Sequence, residues 1–121
     1  MKTKNKNLVG YDEGDDSLTF VSKERDAEYT IDTGMVLLSI NKENKIVGIE
    51  LMGAHKNFNI PKNVLTDITN AVVKILFNKE HKCIIMNLEL FYNDKNPMIV
   101  ISNFCTDNVN IQNETFKAVV A

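Results

Sequence analysis

Between Lys82 and Tyr92 every second residue is apolar, with Ile84, Met86, Leu88 and Leu90 in one row. Successive side chains of an extended strand point to opposite faces. A period of two therefore marks a strand with one face in a core. The pattern recurs on both sides of this stretch. Ala71, Val73, Ile75 and Phe77 share one face of the run before it, and Met98 to Phe104 forms the run after it. Asn78-Lys79-Glu80-His81 and Asn93-Asp94-Lys95-Asn96-Pro97 divide the three runs. Turns that short join antiparallel neighbours, because a parallel return needs a crossover of a dozen or more residues. Residues 71 to 104 are thus predicted to form an antiparallel meander. A polar loop follows, and Thr115 to Val120 reads as a last strand.

The first half repeats the theme in shorter pieces. Leu8-Val9-Gly10-Tyr11 and Ser17-Leu18-Thr19-Phe20-Val21 flank an acidic turn and read as a hairpin. Tyr29 to Ile31 is a short strand, and Met35 to Ile40 is a stronger one. After the polar loop Asn41 to Lys45, Ile46 to Met52 alternates, with Val47, Ile49 and Leu51 expected on one face and Gly48 and Glu50 on the other. Residues 53–60 are irregular. Pro61 suits the start of a helix, where its missing N–H costs nothing. Ile60, Val64, Leu65 and Ile68 have helical spacing. The fold class expected is mainly β, of the α+β kind. Antiparallel hairpins and a meander pack as a two-layer sheet arrangement with one short helix near 61–69. A length of 121 residues fits a single domain over 1–121. Residues 1–7 are read as a frayed arm, 8–54 as the first β region, and 71–120 as the meander and last strand.

Charge narrows the function classes. Lys and Arg number 14 against 16 Asp and Glu, for a net charge of -2. Arg25 is the lone arginine, so the side chain that grips phosphates and bases with two parallel donors is nearly missing. Nucleic-acid binding is not expected. No apolar run is long enough to span a membrane, and no membrane association is expected. Two cysteines, Cys83 and Cys105, make no disulfide framework. A reduced, cytoplasmic setting is the expectation.

The most chemically suggestive stretch is Y-D-E-G-D-D-S-L, residues 11–18, where four carboxylates crowd one glycine. A calcium loop of the EF-hand type wants a glutamate at its twelfth position. Counted from Asp12, that position is Lys23. Adjacent carboxylates on a turn are expected to point into water, and a hairpin turn accounts for Gly14 and the aspartates through their backbone preferences. His55, His81, Cys83 and Cys105 match no zinc spacing, and no metal site is expected. Cys83 and Cys105 lie in apolar strands, where a free cysteine usually acts as a small hydrophobe. No nucleophile elbow and no phosphate-binding glycine loop occurs. Neither a cofactor nor an enzymatic activity is expected.

Several strands are apolar on both faces. Beyond the inner rows stand Met35 and Leu37, Val72 and Leu76, and Ile99 and Ile101. One sheet under one short helix cannot bury both faces, so a second layer or a second copy must cover the remainder. A homodimer is expected, with Ile99 and Ile101 as interface candidates.

Three segments carry a family resemblance: Y-D-E-G-D-D-S-L-T-F, G-M-V-L-L-S-I-N and K-I-V-G-I-E-L-M-G-A. With Tyr11, Asp12, Asp16, Ser17, Leu18, Val47, Gly48, Ile49, Glu50, Leu51 and Ala54 in that order, residues 11–54 resemble the prokaryotic family catalogued as domain of unknown function 2283. The extension through I-P-K-N-V-L is similar to longer, archaeal-looking members. The resemblance implies a β-rich domain and no activity. It also implies, through short relatives that look like partners in toxin–antitoxin gene pairs, an antitoxin-like alternative with an unidentified protein partner. The leading expectation is a non-enzymatic, self-associating interaction module. The other alternative is a small-ligand or cation-binding protein using Glu50, Asp12 and Asp16.

Overall fold

A computed structural model describes residues 7–22, 26–94, 96–105 and 111–120. Among the described residues nine strands run in chain order, with one helix after the fifth: β1 (Asn7–Asp12), β2 (Ser17–Ser22), β3 (Tyr29–Asp32), β4 (Val36–Ile40), β5 (Ile46–Met52), α1 (Lys62–Thr66), β6 (Ile68–Asn78), β7 (Cys83–Tyr92), β8 (Met98–Cys105) and β9 (Glu114–Val120). The fold is mainly β, as the alternation requires. Most of the expected frayed arm, residues 1–6, lies outside the described residues. Asn7 already belongs to β1.

All nine strands form one sheet in the order β3-β4-β5-β2-β1-β9-β6-β7-β8. The β1–β2 hairpin and the β6–β7–β8 meander stand as expected. The last strand closes the design. β9 inserts between the halves, antiparallel to β6 and parallel to β1, with Asn7 opposite Ala118. The two layers are thus two parts of one continuous mixed sheet that curls over a single core. Leu18, Phe20, Leu38 and Ile49 from one part join Val73, Ile75, Met86, Leu88 and Phe116 from the other in one buried cluster.

Two local departures have physical causes. The helix is shorter than 61–69. Pro61 precedes its first residue with ψ 142°, and Asp67 ends it. Ile68 instead opens β6 opposite Tyr92, and the Thr69 hydroxyl donates to the Phe91 carbonyl at 3.2 Å. Ladder bonds to β7 outweigh another half-turn of helix for β-branched residues. The second departure is in β5. A register shift at Ser39/Ile40 sets Ile46 opposite Ile40, so Ile46 joins Ile49 and Leu51 in the core. Val47, expected on that face, is only 4% exposed but stands outside the core cluster. One extra residue in a bulge reverses which side chain faces inward.

The surplus apolar residues lie on the outer face. Met35 is 48% exposed, Leu76 51%, Ile99 48% and Ile101 66%. Curling buries one face of the sheet and leaves these rows uncovered within the chain. Among the described residues, no helix is long and apolar enough to cross a membrane.

Candidate functional site

The acidic turn is built in two parts. The Asp12 carboxylate folds back on its own turn, and its Oδ1 accepts the N–H groups of Gly14 at 2.9 Å and Asp15 at 3.2 Å. That is the usual way an aspartate caps a turn. Asp16 does something else. Its backbone is left-handed, at φ 53°, a conformation that aspartate adopts more readily than most residues. The Tyr11 hydroxyl donates to Asp16 Oδ1 at 2.6 Å, as does the His55 N–H at 2.9 Å. The Lys56 N–H donates to Oδ2 at 3.1 Å, and the Ala54 N–H donates to the Asp16 carbonyl at 2.9 Å. Asp16 therefore clasps the loop after β5 to the β1–β2 hairpin. Still half-exposed, it is bonded to protein donors, where adjacent carboxylates on a turn were expected only to point into water.

The electrostatics follow from these bonds. Donation by Tyr11 and by the His55 and Lys56 amides outweighs partial burial and holds the Asp16 carboxyl down at about 2. Partial burial, the bond to Asp16 and the nearby carboxylates push the Tyr11 phenol up to about 12.

The clasped loop is itself tightly wound. Gly53 has φ 72°, and a Cβ there would lie 2.2 Å from Asn57 Nδ2. That amide needs its place, since it donates to the Met52 carbonyl at 2.9 Å. Ala54 is fully buried, and His55 Nδ1 lies 2.9 Å from the Ile60 carbonyl.

Glu50 is half-buried on the outer face, opposite Leu37 on β4 and Thr19 on β2. A shallow hollow of about 290 Å³ lies there, lined also by Val21, Ser39 and Gly48. Gly48 leaves room for Ser39, whose Cβ would be 3.2 Å from any Cβ added to the glycine. Glu50 and the acidic turn are not brought together. Asp12 pairs with Ser17, which pairs with Met52, a step further along the sheet than Glu50. Among the described residues, no three of His, Cys, Asp and Glu gather as a metal would require.

Two features lay beyond sequence reasoning. A cavity of about 440 Å³ opens where β1 runs past the end of β9, lined by Val9, Tyr11, Leu18, Leu65, Ile68 and Val120 with Glu13 and Thr66 as polar members. The other is the nature of the sheet edges. β3, one edge, is four residues long and contains Asp32, with Asp26 and Glu28 exposed just before it. β8, the other edge, runs Met-Ile-Val-Ile-Ser-Asn-Phe-Cys without a charge. A long, uncharged edge strand offers a row of unpaired backbone donors and acceptors to another strand.

Residues 9–55 match the family model described as "Protein of unknown function (DUF2283)". The match runs from within β1 through β5 and reaches the loop that Asp16 clasps. It agrees with the resemblance read over residues 11–54. No curated protein matches the chain, and neither does any solved structure.

Proposed function

We propose that this β-rich protein is a non-enzymatic interaction module that pairs with a second copy of itself along β8. The observation that carries the reading is an eight-residue edge strand with no charged residue, bearing Ile99 and Ile101 exposed on one row. Antiparallel addition of strands is self-complementary. A two-fold axis beside Val100 sets Ile99 of each copy against Ile101 of the other, and it turns two exposed pairs into one apolar patch. A second copy fits better than a foreign partner, because a strand without charge carries nothing to specify one. On the outer face Asn87 and Glu89 stand opposite Ile101 and Ile99, while Ile85, diagonal to Ile101, and its β6 partner Leu76 add further exposed apolar surface.

Sedimentation at micromolar concentration tests the reading. The expected result is a dimer that withstands high salt, since no ion pair holds it. Ile101→Lys should weaken association by about tenfold or more, by losing an apolar anchor and burying an unpaired charge. A monomer at all accessible concentrations, with the thermal stability of a folded chain, would overturn it.

The cavity beside Tyr11 favours one other reading, a small and mostly apolar ligand. Its size falls within the range of about 300–1,000 Å³ usual for ligand pockets. Fluorescent dye binding that is lost on Thr66→Trp, with the oligomeric state unchanged, would support it.

A further inference from the structure

The β7–β8 rung next to the 78–82 turn carries two sulfurs. Cys83 stands directly opposite Cys105 in the ladder, and their Sγ atoms are 2.6 Å apart. Directly opposed residues of antiparallel strands have Cα atoms about 4.5–5.5 Å apart. A disulfide spans about 4.4–6.8 Å, so the backbone need not move to close one. Both cysteines are free thiols, Cys105 exposed and Cys83 half-buried. Neither belongs to the core cluster. They are not small hydrophobes filling the interior, as their apolar strands suggested, because the register turns both to the outer face.

We propose that Cys83 and Cys105 are a redox-active dithiol that low-molecular-weight disulfides convert reversibly to an intramolecular disulfide. Cys105 is the sulfur that a reagent reaches first. Its thiolate attacks one sulfur of the small disulfide, the S–S bond breaks, and one small thiolate leaves. The Cys83 thiolate then attacks the Cys105 sulfur of the mixed disulfide, and the second small thiolate leaves. Two protein thiols are oxidised, one small disulfide is reduced, and the two protons end on the small thiols. The order agrees with the state of Cys83. A hydrogen bond with Cys105, partial burial and the closeness of Cys105 raise the Cys83 thiol above its ordinary range. The bond, once formed, pins the last rung of β8 to β7. Its exposure makes it reducible, as regulatory disulfides are and buried structural ones are not.

Cys105 ends the strand proposed to self-pair, but the test reads chemistry within one chain and holds for a monomer or a dimer. The full-length protein is held in glutathione disulfide and its mass is followed under denaturing, non-reducing conditions. The wild type should lose two hydrogens, remain a single chain and yield a Cys83–Cys105 peptide that dithiothreitol cleaves. Cys83→Ser and Cys105→Ser should each stop at a persistent glutathione adduct on the remaining cysteine, because the resolving thiol is gone. Persistent adducts on the wild type would overturn the proposal. So would cross-links between chains, or thiols untouched by a buffer that oxidises a control dithiol peptide.

Discussion

Asp16 shows how much a single carboxylate holds. Three donors reach its side chain from two separate segments, so one of the three candidate ligand residues is an internal tie. Its folded-state value is depressed from 3.8 to about 2. The stability it contributes is therefore present above about pH 4 and lost as pH falls toward 2. Tyr11 has the opposite sign. Its value is raised from 10.0 to about 12, so its contribution is intact below pH 10 and lost as pH rises through 12. The clasp is thus complete between about pH 4 and pH 10. Asp16→Asn should lower the melting midpoint throughout that window, and the gap to the wild type should close below about pH 4. An ultraviolet titration should show Tyr11 ionising near pH 12, and Tyr11→Phe should remove that late step. A folded wild type in which Tyr11→Phe removes no late step would contradict the bond. The sequence showed the four carboxylates but not this division of labour. It rests on a left-handed backbone at Asp16 and on amides some forty residues away.

At the scale of elements, the alternating rows were the legible part. Ile84, Met86, Leu88 and Leu90 are all fully buried, in the row that their spacing defines. Leu88 lies midway along β7 between β6 and β8, paired with Val73 and Val100. Leu88→Ala should cost about 2–5 kcal/mol in denaturant unfolding, by lost burial and the cavity left behind. Glu13→Ala and Asp15→Ala, on the exposed turn, should stay within about 0.5 kcal/mol. Comparable midpoints for the two classes would mean that the core is misassigned. Gly53→Ala should destabilise by about 1–2 kcal/mol, since alanine pays for φ 72° and displaces the Asn57 amide. What periodicity missed were elements set by partners distant in sequence. The β5 bulge depends on how β4 pairs with it, and helix α1 stops where β7 claims Ile68. The facing of Cys83 and Cys105 appears only once the β7–β8 register is known.

At the scale of the whole molecule, the two-faced apolar strands announced surface that one chain would not cover. The sequence did not say where that surface would lie. It follows from β9, which joins the two halves into one sheet and leaves β3 and β8 as its edges. β3 is short and guarded by carboxylates, whereas β8 is long and uncharged. Such an asymmetry directs pairing to one edge. The central claim is that β8 is covered by β8 of a second copy. Amide hydrogen exchange over residues 98–105, measured at protein concentrations above and below the association midpoint, tests it most directly. Above the midpoint, the β8 amides that face away from β7 should exchange about tenfold or more slowly than below it, while residues 29–32 of β3 should not change. Equal exchange of β8 at both concentrations in a folded protein would contradict the account.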